Sequence, residues 1–246
     1  MASGRVSAVR RGVPGLAGLL LFPLLLCAAA AAASPRAGAR IPAALNAVLD
    51  HLDAAATRLH RLRADVVSTR YTKIVNDTAV ERGMIYYRRT KGGPQIALDI
   101  ETPTRREFLY RDQTGYLYQP GIRQVQEYDL RGHHQAVQKY LLLSFGGGGH
   151  SLLQSFQVRL GGRQVIAGER TVELVLTPLD VDHAGGIASI DLWFSPRLWV
   201  AVRQQVNQTS GDYQRLDYSH IRINLRLGGH IFAAYFPGAT VIRPQG

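Results

Sequence analysis

One cysteine is all that this 246-residue chain contains, and Cys27 falls in an apolar stretch near its start. A disulfide framework is excluded, and thiol chemistry goes too if that stretch is removed, so the fold must rest on a hydrophobic core. Metal-ligating patterns are missing as well. His133 and His134 are adjacent, His183 follows Asp180 and Asp182, and the others are scattered, with no i, i+4 histidine pair on a helix. No serine sits in a nucleophile elbow. Gly146, Gly147, Gly148 and Gly149 lack both the preceding strand and the Gly-Lys-Ser/Thr ending of a phosphate loop, and resemble a hinge instead. Asp99 and Glu101 alternate along one strand face, which is ordinarily the wet side of a sheet. Together these absences point away from an enzyme, a metal site and a cofactor. No internal repeat and no linker divides residues 42–246, which read as one domain.

What is present begins with a targeting segment. Arg5, Arg10 and Arg11 precede an uncharged run from Gly12 through Pro35, with an apolar block at 19–26 and alanines at 28–33. That is the pattern of a secretory signal peptide over residues 1–33, followed by a disordered leader at 34–41. A retained membrane anchor is the rival reading, since the uncharged run is long enough to span a bilayer. Cys27 follows Leu26, whereas a lipidated cysteine follows a small residue, so it reads as part of the discarded segment. Cleavage near Ala33 leaves 213 residues, with twenty-six basic against eighteen acidic side chains and a net charge of +8. Export argues against a nucleic-acid partner; anionic lipid headgroups, an acidic partner surface or a merely solvated basic face account for the charge.

The rest reads as a long helix and then strands. Pro42 opens a helix in which Leu45, Val48, Leu49, Leu52, Ala56, Leu59 and Leu62 recur at helical spacing, a rod of about 30 Å. A strand follows at 64–71, turned by Asn76-Asp77 into the stretch that organises the chain, residues 83–130. There Ile96, Leu98 and Ile100 share one face, Phe108 and Tyr110 alternate with Leu109 and Arg111, and Tyr116 and Tyr118 follow a turn at residues 112–115. This is an antiparallel meander with an aromatic-rich face. Residues 131–145 read as a short helix ending in Leu141, Leu142, Leu143 and Phe145, a candidate lid beside the glycine run. Further strands are expected at 156–160, 171–177, 188–194, 201–207, 213–224 and 232–235. The count comes to roughly ten or eleven strands.

Arg88 and Arg89 end the strand that carries Ile85 and Tyr87. Alternation puts Arg89 on the face of Ile85 and Tyr87 and Arg88 on the face of Met84 and Tyr86; if an arginine's face is interior, its charge needs an acceptor such as the C-terminal carbonyls of a helix.

The GMIYYRR strand, the LYRDQTGYLYQPGIRQVQEYDL meander, LLLSF, ASIDLWFSP with AVRQQ, and the closing FAAYFPGATVIRP resemble, in order and spacing, the LolA-type periplasmic lipoprotein carriers. The resemblance covers essentially residues 43–244. It implies a mainly β fold with helices: an incomplete antiparallel β-barrel covered by an N-terminal helix and a helical lid, around an apolar cavity for acyl chains. It also implies that an arginine at the end of the early strand holds the lid shut. Arg89 matches that position; Thr90 stands where the family has proline and the loop runs on to Pro94, which leaves Arg88 and Arg89 both as candidates for the latch.

A carrier of this kind answers a physical need. Each CH₂ exposed to water costs about 0.8 kcal/mol, so a sixteen-carbon chain costs on the order of 12 kcal/mol to bring across an aqueous gap. Ile85, Tyr87, Ile96, Leu98, Ile100, Phe108, Tyr110, Tyr116 and Tyr118 are the expected cavity lining, with Leu141, Leu142 and Phe145 filling it from the lid. The function expected is a monomeric, soluble periplasmic carrier of lipidated proteins or lipids. The resemblance implies as its partners an inner-membrane lipoprotein-releasing transporter and an outer-membrane acceptor. The alternative is a sensor module of the same fold that binds a lipid or lipoprotein tail, and a third reading is a membrane-tethered acceptor.

Overall fold

The computed structural model describes residues 41–131, 143–145, 147–180 and 184–244. The signal segment, the leader, Leu141 and Leu142 lie outside them, as does most of the expected lid. Among the described residues one α-helix, α1 (Ala43–Arg58), precedes fourteen strands, more than the sequence pattern suggested. They are β1 (Arg61–Thr72), β2 (Asp77–Thr90), β3 (Gly93–Thr102), β4 (Arg106–Arg111), β5 (Thr114–Gln119) and β6 (Gln124–Asp129). After them come β7 (Phe156–Leu160), β8 (Val165–Ile166), β9 (Glu169–Arg170) and β10 (Val172–Pro178). The last four are β11 (Ile187–Phe194), β12 (Ala201–Gln208), β13 (Tyr213–Ile223) and β14 (Thr240–Ile242).

Twelve strands form one sheet in the order β14-β6-β5-β4-β3-β2-β1-β13-β12-β11-β10-β7, and β8 and β9 form a separate small ladder. The large sheet is open, with β14 and β7 at its edges. It is antiparallel except at β14, which pairs parallel to β6.

The helix is shorter than its apolar row. Leu45, Leu49, Leu52 and Ala55 are buried along one stripe, but Leu59 is already extended and Leu62 lies in β1. The cause is Asn224, at the end of β13. Its side-chain amide donates to the Arg58 carbonyl at 2.9 Å, and its oxygen accepts the His60 and Arg61 amides at 2.9 and 3.2 Å. Once a side chain satisfies these terminal groups, the chain leaves the helix even though the leucine spacing continues.

Two core clusters lie on the face that α1 covers, here the inner face. Under α1, Leu45, Leu49 and Leu52 meet Leu174, Leu176, Ile190, Leu192 and Phe194 from β10 and β11. Beyond the helix C-terminus, Leu59, Leu62, Val66, Ile85, Tyr87, Ile96, Tyr110 and Tyr218 form the second. The outer face carries a smaller cluster of Ala97 and Leu109 around Phe232. No strand forms at the expected 232–235. Phe232 instead ends a 3₁₀ turn, Gly229–Phe232, and is fully buried alone while Tyr235 is 76% exposed. This C-terminal strap crosses the outer face before joining the edge as β14.

Candidate functional site

The meander places its side chains by the parity of its turns. The β3–β4 connection pairs Ile96 with Tyr110 and Leu98 with Phe108, so all four face inward. Tyr87 faces Ile96, and Ile85 faces Leu98, across the β2–β3 ladder. Ile85, Tyr87, Ile96, Ile100 and Tyr110 are buried, while Leu98 and Phe108 are half-buried against the second cluster.

Tyr116 and Tyr118 go the other way. Asp112 and Gln113, at φ of 49° and 62°, make a two-residue turn with both central residues left-handed. That turn pairs Arg111 with Thr114, and so Tyr116 with Leu109 and Tyr118 with Glu107. Even-numbered residues of β4 thus share a face with odd-numbered residues of β5. Leu117 takes the inner position, and the two tyrosines lie outside, with ring centroids 5.7 and 5.1 Å from that of Phe236. Gly115 lies inside as well, opposite Tyr110, where a Cβ would be 3.2 Å from Leu130 and 3.7 Å from Phe108.

The same parity separates the two arginines. Arg89 follows Ile85 and Tyr87 on the inner side, where its guanidinium donates to the Ala56 carbonyl at 2.8 Å, near the C-terminus of α1. A helix C-terminal carbonyl is thus one of its acceptors, on α1; the lid residues 132–142 lie outside the described ones. Arg88 points outward, donating to Gln95 at 2.7 Å with its guanidinium 4.3 Å from the centre of the Phe232 ring. Burial lowers its pKa, and the Arg111 and Arg61 charges lower it further. Arg111 donates to the Phe232 carbonyl at 2.7 Å, so the two cations grip one residue of the strap.

Among the described residues, Leu143, Ser144 and Phe145 pack onto the inner face. Phe145 is 1% exposed and meets Tyr218 edge-on at 4.8 Å. Ser144 hydrogen-bonds the Gln204 side chain, Tyr218 donates to the Ser144 hydroxyl at 3.4 Å, and the Ala201 amide donates to the Ser144 carbonyl at 3.2 Å. Burial pushes the Tyr218 phenol well above its ordinary range. The sequence did carry a signal for Gln204: it is a polar residue in the alternating row Val202, Gln204, Val206. Nothing in the sequence linked it to Ser144, sixty residues away.

Past this plug the chain is fastened to α1. A Cβ on Gly149 would lie 2.3 Å from the Leu49 carbonyl oxygen, and one on Gly148 2.7 Å from Asp53 Oδ1. These glycines permit backbone-on-helix contact; that is their packing role. His150 then brings Nδ1 to 2.5 Å from Asp53 and Nε2 to 3.2 Å from Asn46 Oδ1. Potential ligand atoms of Asp50, Asp53 and His150 lie within 4.8 Å of one another, a grouping able to hold a cation that sequence spacing had not revealed. A separate pocket of about 340 Å³, bordered by Asp65, Arg82 and Glu101, opens mainly on the outer side and carries charges of both signs. No helix among the described residues is long and apolar enough to cross a membrane.

No protein-family model and no curated protein matches the sequence. Solved structures do resemble the fold. MucB aligns with a TM-score of 0.52 at 16% identity, over 79% of this chain and 64% of its own. An uncharacterized conserved protein from Thermus thermophilus aligns with a TM-score of 0.53 at 12% identity, over 82% of this chain and 99% of its own. A LolA superfamily protein from Nitrosomonas europaea aligns at 13% identity and a TM-score of 0.38, over 77% and 97% of the two chains. The chain thus spans a little under two thirds of the length of MucB. What it shares with MucB and the Thermus thermophilus protein is the fold alone, in this chain an open and mostly antiparallel sheet over one helix.

Proposed function

We propose that this chain binds acyl chains of lipoproteins or lipids on its inner face and carries them in soluble form through the periplasm to an outer-membrane acceptor. One observation carries the reading. The apolar surface made by Tyr87, Ile96, Tyr110 and Tyr218 is covered at Phe145 by a side chain that belongs neither to the large sheet nor to α1. Such a side chain can withdraw without breaking a strand ladder, and a carrier needs a displacement costing only a few kcal/mol that cargo can supply.

The signal-peptide pattern supports export, and the resemblance noted in the sequence supports a releasing transporter as donor. The test is extraction of the protein purified from its export compartment, lipid mass analysis, and transfer of a lipidated substrate to acceptor vesicles. Co-purifying acyl lipid and transfer are expected; a lipid-free protein that neither takes up nor passes on lipidated substrate would remove the carrier reading. MucB, which shares the fold, is known in complex with MucA from Pseudomonas aeruginosa. That supports a second reading, a module that senses a lipid tail and reports to a protein partner. Binding of lipid without any transfer, together with a stable protein complex, would favour it.

A further inference from the structure

The plug is fastened by polar bonds within an apolar chamber, and those bonds constrain what can replace it. When Leu143, Ser144 and Phe145 withdraw, three groups on the floor lose a partner: the Tyr218 hydroxyl, the Gln204 side-chain amide and the Ala201 backbone N–H. With Phe145 in place Tyr218 is 5% exposed, Ala201 fully buried and Gln204 half-buried, and a cargo chain that takes Phe145's space keeps water from the first two in the same way. A buried polar group left without a partner costs far more than the bond it made is worth. A bare hydrocarbon tail would fill Phe145's space and leave the Tyr218 hydroxyl and the Ala201 N–H orphaned.

We infer that the cargo presents an ester or amide carbonyl beside its acyl chain, and that Tyr218, Gln204 and the Ala201 N–H receive it where Ser144 now sits. This rests on the acyl-binding reading above and adds the class of lipid. The chemistry matches. The Ser144 carbonyl accepts from Ala201, and its hydroxyl accepts from Tyr218; a carbonyl oxygen has two lone pairs and can accept from both. The Gln204 amide can turn to offer its NH₂ instead of its oxygen. Phe145 mimics the first carbons of the chain, and Ser144 mimics the linkage. The acylglycerol ester of a phospholipid and that of a lipoprotein anchor share this chemistry.

The experiment compares 1-palmitoylglycerol with 1-O-hexadecylglycerol, which has the same chain length and headgroup but an ether in place of the ester. Affinities come from displacement of a fluorescent fatty-acid probe from the full exported chain. Wild type should favour the ester at least tenfold. Tyr218→Phe and Gln204→Leu should each bring that preference to within about threefold, while affinity for the ether is held or improved. Competition by a dipalmitoyl phosphatidylglycerol against a dipalmitoylglyceryl-cysteine peptide distinguishes the two sources, and displacement by either supports the inference. Equal affinity for ester and ether in wild type overturns it and leaves acyl binding standing. Failure to bind either probe overturns both.

Discussion

Gly149→Ala isolates the fastening of the plug. Gly149 has φ −61° and ψ −49°, helical values that alanine adopts freely, so the substitution carries no backbone penalty. By itself the loss of unfolded-chain freedom would stabilise by about 0.4–1 kcal/mol. Against this stands the steric cost, because the added carbon would lie 2.3 Å from the Leu49 carbonyl oxygen, 2.6 Å from Leu49 Cα and 2.8 Å from its carbonyl carbon. All three are helix backbone, which cannot swing aside, so the segment must retreat by about 1 Å, an overpacking cost of roughly 1–3 kcal/mol. The net loss is about 1–2 kcal/mol, or ~3–6 °C in Tm for a domain of this size. The retreat also drags His150 from Asp53 and lifts Phe145 from Tyr218, so uptake of a fluorescent fatty acid should quicken. Gly121→Ala is the control, since nothing lies within 4 Å of its added carbon. Should Gly149→Ala match Gly121→Ala in both denaturation midpoint and uptake rate, the glycine is not what seats the plug and the reasoning fails.

Three further outcomes follow from the structure. At Gly83→Ala, where the β2–β3 register shifts, a Cβ would sit 1.9 Å from the Asp99 carbonyl oxygen, so the ladder cannot form as it is. A loss above about 3 kcal/mol in urea denaturation, or no soluble protein, is expected, and a near-native midpoint would contradict it. Arg88→Leu and Arg89→Leu should separate: the first frees the strap and speeds proteolysis near Tyr235, and the second loosens the end of α1 and alters acyl uptake. Identical proteolysis and uptake in the two variants would show that the arginines do not serve opposite faces. Finally, stability should fall with rising pH above about 10, because the unfolded chain ionises Tyr218 first while the folded chain holds its proton; the slope from this residue is about 1.4 kcal/mol per pH unit. Denaturation midpoints from pH 8 to 11 should flatten in Tyr218→Phe, and an unaltered slope would refute the assignment.

The sequence was most legible where one period governs one face. The apolar row of α1, the alternation of Ile96, Leu98 and Ile100, and the succession of short strands were enough to read an open sheet covered by a helix. Features set by contacts distant in the chain were not legible. The end of α1 depends on Asn224, and the leucine spacing runs past it unchanged. The faces of Tyr116 and Tyr118 depend on whether an even or an odd number of residues turns the β4–β5 hairpin, and aromatic alternation looks the same either way. Alternation set Arg89 with Ile85 and Tyr87 and Arg88 opposite them, but not which face is interior, because the acceptor and the covering ring come from residues 56 and 232. The polar fastening of Ser144 joins residues sixty and seventy-four positions apart, a span that no local pattern encodes.

The borders of the large sheet carry one more implication. A row of unpaired amides and carbonyls is a template on which other chains can extend a ladder, and long flat borders are where aggregation begins. Here one border is β14, three residues long, and the other is β7, with five. The long β1 and β2, with twelve and fourteen residues, are flanked on both sides. Because the C-terminal strap ends as β14, it masks part of β6 with a strand too short to recruit another copy, and so helps to keep the greasy inner surface from being shared between molecules.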